Sequence, residues 1–308
     1  MQDDELFRMF EIQKKINQNL LNLTLKEKQE LTKQFVLALS GEITELLQEI
    51  NWCSWKKNVN VIESNVHEEL VDICKFFLNL CLIWDLDENR LFEQFERKSI
   101  VVEQKLKQME SLKYIKEKQT KVCGIDLDGV ILKYPDHWID YINRNENTNF
   151  TNIYEVHKNI SNKKYLDLKH EYRKSGKKVD IPLNEGACEF INRLKILGYY
   201  IVILTKRPYK QYFRLFADTK NCLDKNNIIY DALIFDSEKH KLIIKELPQL
   251  EFMVEDNRHI ANEVGNWGYK VFLLDNIYNQ GDLNENVVRV KSLKEILSYV
   301  NNISENSL

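Results

Sequence analysis

An all-α helical bundle followed by an α/β domain with a parallel sheet is the fold class that the 308-residue sequence predicts. Three observations carry that expectation. Residues 1–120 hold no proline and a single glycine, Gly41, whereas every proline and all other glycines lie from Gly124 onward. Before residue 120, apolar side chains recur at the i, i+3, i+4 spacing of amphipathic helices. Beyond it, short apolar runs alternate with amphipathic segments, as strands and helices do when helices cover both faces of a sheet. A chain of this length can bury two separate cores.

The helical pattern falls into four blocks, roughly 2–22, 24–50, 64–84 and 86–118, with Thr24 and Ser64 placed as N-caps. The last block ends in "VVEQKLKQMESLKYIKEKQTK", so charged that it reads as a solvated helix bridging two domains, with the boundary at 119/120. Five later runs read as strands: "KVCGIDLD", "YYIVILT", "DALIFD", "LEFMVED" and "YKVFLLD". Between them, Asn184 is the expected N-cap of one helix and Gly198 its stop, Pro208 stands near another helix start, and Ser292 with Glu295 spells a capping box.

Composition narrows the class. With 44% hydrophobic and 30% charged residues and a net charge of −3, the chain reads as soluble and globular, with no basic excess to suggest nucleic acid. The acidic start "MQDDELFRMF" lacks the features of a secretory signal, and no apolar run is long enough to span a bilayer, so a cytoplasmic protein without membrane partners is expected. Six cysteines without a C-x-x-C pair fit reduced thiols acting as small buried hydrophobes. The histidines show no metal-ligand spacing.

Chemistry is suggested first by acids on helices. In "GEITELLQEI", Glu42, Glu45 and Glu49 share one helical face; in "HEELVDICKFF", Glu69 and Asp72 repeat the device beside an expected buried stripe of Leu70, Ile73, Phe76 and Phe77. Gathered carboxylates repel unless a counter-charge is present, and Mg²⁺ supplies one while suiting phosphate substrates. Two ordinary solvated acidic faces are the alternative. Gln13 and Asn17 lie i, i+4 on one face, and their amides offer donor and acceptor together.

Glu42-x-x-Glu45 followed by Glu69-x-x-Asp72, with "IQKKIN" before and "NWCSWKK" between, resembles the all-α nucleoside triphosphate pyrophosphohydrolases, the MazG-like enzymes and dimeric dUTPases, over nearly all of residues 1–110. That resemblance implies Mg²⁺ on Glu42, Glu45, Glu69 and Asp72, a base read by Gln13 and Asn17, a nucleotide pocket lined by Trp55 and Lys56, and Glu49 as a supporting or water-activating acid. It also implies a homodimer through residues 1–120.

The second set of acids sits at strand ends. "KVCGIDLDGVIL" places Asp126 and Asp128 where parallel sheets bind ligands, with Gly129 permitting a tight turn. The first acid can attack phosphorus, and the second can serve the leaving oxygen and then water. This D-x-D-G-V run, with "VILTKRP", "SEKHKLIIKEL" and "FMVEDNRHI" following in order, resembles haloacid dehalogenase-like hydrolases, whose sheet is Rossmann-like. The resemblance implies Asp126 as nucleophile and Mg²⁺ ligand and Asp128 as acid/base with its carbonyl on the metal. It further implies Thr205 on the phosphoryl group, Lys239 (or its rival Lys241) balancing charge, and Glu255 and Asp256 completing the metal site. Residues 133–182 then form a small helical cap, whose Trp138, Tyr154, Tyr165 and Tyr172 either pack or stack a base, and "VILTKRP" with "VEDN" points to the 5′-nucleotidase branch. Lys206, Arg207 and Arg173 read as surface charge by default, with phosphate contact as the other choice.

Taken together, the halves suggest nucleotide substrates and two successive hydrolyses: dUTP or a related triphosphate to the monophosphate, then the monophosphate to the nucleoside. Two alternatives stay open. The bundle could be an inactive nucleotide-sensing and dimerisation module, or a scaffold for a single-step phosphatase.

Overall fold

A computed structural model describes residues 5–53, 55, 60–117 and 121–305, with 301–305 as backbone alone. The chain forms two compact units, Met1–Ser99 and Ile100–Leu308. The expected boundary at 119/120 lies just past the end of a helix within which the units divide.

The first unit is helical: α1 (Glu5–Ile16), α2 (Leu25–Gln48), α3 (Glu63–Ile83) and the first turns of α4 (Glu88–Glu117). Thr24 caps α2 as expected, exchanging hydrogen bonds with Glu27 in a complete capping box. Ser64 does not cap α3. The helix begins one residue earlier with Ile62 at the cap, so the Ser64 hydroxyl lies inside the first turn. The first block also breaks at Asn17, where a 3₁₀ turn over Gln18–Leu20 leads to Asn22 at φ 60°. Phe10, Leu20, Leu78, Cys81, Leu82 and Ile83 form the core, against which Leu31 and Phe35 pack. The stripe expected at Leu70 and Phe77 is not buried: both are about half exposed, and α2 has no buried residue. Only Ile73 and Phe76 of that set are partly covered.

In the second unit, the C-terminal part of α4 is not simply solvated. Ile115 is fully buried beneath the sheet with Val122 and Leu247, its carbonyl accepts from Gln249 Nε2 at 3.0 Å, and Tyr114 stacks on Tyr200. Ile115, with Leu112 partly covered beside it, docks the end of a helix that composition alone marks as polar. The strands are β1 (Val122–Asp126), β2 (Tyr200–Thr205), β3 (Ala232–Phe235), β4 (Leu250–Glu255), β5 (Lys270–Leu274) and β6 (Val287–Val290), the last of which the apolar runs did not announce. All pair in parallel, in the order β3-β2-β1-β4-β5-β6. Apolar cores cover both faces, which explains why these strands read as unbroken hydrophobic runs. The order reverses between β1 and β4, so the crevice at their carboxyl ends is the expected ligand position.

Local punctuation follows in part. Gly198, at φ 82°, ends α8 (Ala187–Ile196) as predicted. Asn184 caps no helix, because α8 starts after Gly186; its side-chain amide donates instead to the carbonyls of Gly129 and Val130. Pro208 opens a turn, and α9 (Arg214–Lys225) begins later. The cap comprises α5 (Asp136–Glu146), α6 (Ile153–Asn159) and α7 (Asn162–Lys174) with its own core of Trp138, Ile139, Ile142, Val156, Leu168 and Tyr172. Trp138 centres it, meeting Tyr141, Tyr165 and Tyr172 at ring separations of 5.8, 5.6 and 5.0 Å. Among the described residues all six cysteines are free, and no helix is long and apolar enough to cross a membrane.

Trp138→Ala should therefore remove about 3–5 kcal/mol from the cap alone. Hydrogen exchange should accelerate across α5–α7 while amides of β1–β6 keep their protection.

Candidate active sites

In the helical unit the i, i+3 spacing brings Glu42 and Glu45 of α2 to one side of Glu69 on α3, with ligand oxygens mutually within 4.8 Å. Partial burial first, then the charges of Glu45, Glu42, Asp72 and Glu49, push the Glu69 carboxyl above its ordinary range. One Glu69 oxygen, Oε2, is buried with no hydrogen-bond partner, a costly state that a cation would relieve. These residues fit a hard divalent ion bound through oxygen. Asp72 lies outside the triad and pairs instead with Lys75, one turn on, at 2.9 Å. Glu49 ends α2 and accepts from Asn65 Nδ2 at 2.9 Å.

Gln13 is buried, and Asn17 Nδ2 donates to Gln13 Oε1 at 3.2 Å and to Asn79 Oδ1 at 3.1 Å. Asn79, also buried, is a residue the sequence reading missed; an asparagine inside the apolar end of α3 was the available signal. Trp55 is 81% exposed with its ring edge-on to Trp52, and Lys56 lies outside the described residues.

In the α/β unit, Asp126, Thr205 and Glu255 are the last residues of the adjacent strands β1, β2 and β4, so register alone sets them along one edge. Asp126, Glu255 and Asp256 place ligand oxygens within 4.8 Å of one another. Burial and neighbouring carboxylates push Asp126 and Asp256 up, against the pull of Lys239. Lys239, buried at the start of α10 (Lys239–Glu246), contacts Asp126 and donates to Glu255 at 2.9 Å. Its rival Lys241 is exposed and pairs with Glu238. Tyr278 donates to Asp256 at 2.6 Å, Asn279 supports the Asp256 carbonyl, and the Asn257 amide donates to Glu255. The Thr205 hydroxyl accepts from the Arg207 backbone amide at 3.3 Å. Gly129 sits at φ +101°, and a Cβ there would meet Asp256 Oδ2 at 2.0 Å.

Asp128 points away from this acidic cluster. Arg207, buried rather than a surface charge, holds both its oxygens at 2.9 and 2.5 Å and is itself tied to Thr219 Oγ1 at 2.8 Å. Burial alone would raise the Asp128 carboxyl, but Arg207 and Lys178 keep it well below the carboxylate range. Burial, then Arg207, pushes Lys178 down to about 7. A cavity of about 270 Å³ opens over the strand ends, lined by Asp126, Asp128, Thr205 and Lys239 on the sheet side. The clue to Arg207 was its place two residues past a strand-end threonine, where side chains turn into the crevice.

Residues 5–179 match a family model described as dUTPase, a span reaching through α1–α4, Asp126 and Asp128 into the cap. A nucleotidase of Clostridium acetobutylicum is 28% identical over 197 residues, 61% of this chain and 97% of its own length. YqfW of Bacillus subtilis, which carries a provisional nucleotidase name, is 26% identical over 189 residues, 58% of this chain and 93% of its own. Among solved structures, a haloacid dehalogenase-like family hydrolase from Streptococcus pneumoniae aligns over 59% of this chain and 99% of its own, at 12% identity and a TM-score of 0.43.

Two outcomes follow from the geometry. A carboxyl raised in the folded state costs stability once ionised, so near neutral pH Glu69→Gln should be at least as stable as the parent without metal. Mg²⁺ at 100 times the dissociation constant of this site should stabilise the helical unit of the parent by about 2.7 kcal/mol and that of the variant by far less, read as thermal shifts. Gly129→Ala should abolish chemistry at Asp126, because both the positive φ and Asp256 oppose a methyl group, while leaving Mg²⁺ stabilisation through Glu69 intact.

Proposed function

The chain belongs to the dUTPase family, its α/β unit carries the strand-end motifs of haloacid dehalogenase-like hydrolases, and from these premises we propose a bifunctional nucleotide hydrolase. The helical unit converts dUTP or a related deoxynucleoside triphosphate to the monophosphate and pyrophosphate. The α/β unit dephosphorylates (deoxy)nucleoside 5′-monophosphates. The observation that supports this reading is the pair of carboxylate triads, each holding more negative charge than neighbouring lysines balance.

Glu42, Glu45 and Glu69, joined by Asp72, would hold Mg²⁺ in the helical unit; Asp126, Glu255, Asp256 and the Asp128 carbonyl would hold it in the other. Bound there, the ion neutralises carboxylate and phosphate oxygens together. In the helical unit Gln13 and Asn17 read the base, with Asn79 fixing the Asn17 amide. By the family resemblance Trp55 would flank the nucleotide, as would Lys56, which lies outside the described residues. Glu49 takes a proton from water as its oxygen bonds to the α-phosphorus, and the bridging oxygen departs with pyrophosphate.

In the α/β unit an Asp126 oxygen bonds to phosphorus while the ester bond breaks, Asp128 giving the leaving oxygen its proton. Asp128 then deprotonates a water that attacks the acyl phosphate, freeing Asp126 and inorganic phosphate. Thr205 donates to the transferring phosphoryl group, and Lys239 balances Asp126. The Arg207 clamp suits the base half of this cycle. For the acid half, substrate phosphate must first take over Arg207's hydrogen bonds, which lets the Asp128 carboxyl rise.

A homodimer through the helical unit accounts for its uncovered apolar surface. Leu37, Ile43, Leu70, Val71 and Phe77 lie exposed on α2 and α3, and a second copy would bury them.

Each deoxynucleoside triphosphate is to be incubated with protein and Mg²⁺ while pyrophosphate and phosphate are followed separately. Both products are expected, and chelation should stop both. Asp126→Asn should cut phosphate release by more than about 10³-fold and leave pyrophosphate formation undiminished. Loss of both activities together would rule out independent sites, and absence of pyrophosphate from every nucleotide would reduce the helical unit to a binding module.

A further inference from the structure

The cap turns a cationic face toward the strand-end acids. Lys178 is buried, its Nζ 3.6 Å from Asp128 Oδ2 and 4.8 and 5.4 Å from the ring centroids of Tyr134 and Tyr172. Lys169 Nζ donates to the Tyr134 hydroxyl and lies 4.7 and 4.4 Å from the Tyr134 and Trp138 rings. The Arg173 guanidinium sits 5.3 Å from the Tyr212 ring. These three line the 270 Å³ cavity opposite Asp126 and Asp128, joined by Lys206 and Arg207 from the loop after β2. Among the described residues the cap cations have one carboxylate within ion-pair distance, Asp128, and Arg207 already occupies both of its oxygens.

Cations held together in a sheltered cleft repel, and an anion joining them relieves that repulsion. The transferring phosphate has partners of its own at the other end, in Thr205, Lys239, the ion that Asp126, Glu255 and Asp256 would hold, and Arg207 once it leaves Asp128. The surplus charge is therefore set for something else. A nucleobase would find no free ring to stack on here, since Tyr134 and the adjoining Trp138 and Tyr172 already carry ammonium groups over them, so it is not what these cations receive.

We propose that Lys169, Arg173 and Lys178 form a second anion subsite, so that the phosphatase site prefers compact substrates carrying a second phosphoryl group close to the scissile one. This rests on the phosphatase reading of the same site and sharpens its substrate. Two sources share the chemistry: inorganic pyrophosphate, which the helical unit would release, and a nucleoside bisphosphate. With pyrophosphate, Asp126 bonds to one phosphorus, the bridging P–O bond breaks, and the departing orthophosphate takes the Asp128 proton. Water then releases the second orthophosphate from Asp126.

The test uses the full chain with Mg²⁺ and measures phosphate release from pyrophosphate, a nucleoside 3′,5′-bisphosphate, dUMP and p-nitrophenyl phosphate. At least one of the two diphosphorylated substrates should exceed dUMP in kcat/KM by about ten-fold or more, and the better of the two identifies the source. Arg173 is only partly buried, so Arg173→Met should fold. It should lower that value by about ten-fold, chiefly through KM, while p-nitrophenyl phosphate turnover stays within about two-fold. Arg173→Lys should restore most of the loss. Equal loss on all substrates, or a preference for dUMP, overturns the subsite. Failure to release phosphate from any of the four substrates overturns the phosphatase reading itself, and the subsite with it.

Discussion

A lysine buried between two carboxylates organises the α/β unit. Lys239 reaches Asp126 at the end of β1 and Glu255 at the end of β4, the two strands that bound the crevice where the sheet order reverses. Removing a lysine from water is expensive, and so is burying carboxylates; each is tolerable only beside the other. The ion cluster thus ties α10 to two strands and, with Asp256, sets three carboxyl groups against one ammonium. Across the cavity the sign reverses, with Arg207, Lys178 and the cap facing a lone Asp128. Phosphate chemistry needs both poles: negative charge to gather a metal ion, positive charge to receive oxygens.

The helical unit reaches a similar end by other means. Its acids stand on partly exposed helices, positioned by the i, i+3 rule, without a buried lysine among the triad. Its core lies toward the other end of α3, around Leu78 to Ile83, so packing contributes little near Glu69. A metal or a neighbouring copy has more to add here than in the α/β unit, where the sheet fixes the acids in advance.

Legibility in the sequence tracked how local the cause was. Strand-end acids, the N-cap at Thr24 and the stop at Gly198 depend on near neighbours, and their residue types announce them. Ser64 and Asn184 were misread because each side chain had a competing option: one lies inside its helix, the other serves the carbonyls after Gly129. Burial of Arg207 and Ile115 depends on elements far away in sequence, which no local pattern encodes. The exposed Leu70 and Phe77 show the reverse limit, since periodicity marks a face as apolar without saying whether anything in the same chain covers it. Strand β6 escaped because four residues at a sheet edge, two of them half-covered, carry too little apolar signal.

The Gln13–Asn17–Asn79 trio has a property of a different kind. One amide group donates to both of the others, so their oxygens are committed and their NH₂ groups turn away. An amide has two faces of opposite polarity, and turning the central one would oblige its neighbours to turn as well. The three side chains therefore behave as a single two-position element. Whatever hydrogen-bonding pattern it presents to a ligand can be inverted without altering the shape of the helices that carry it.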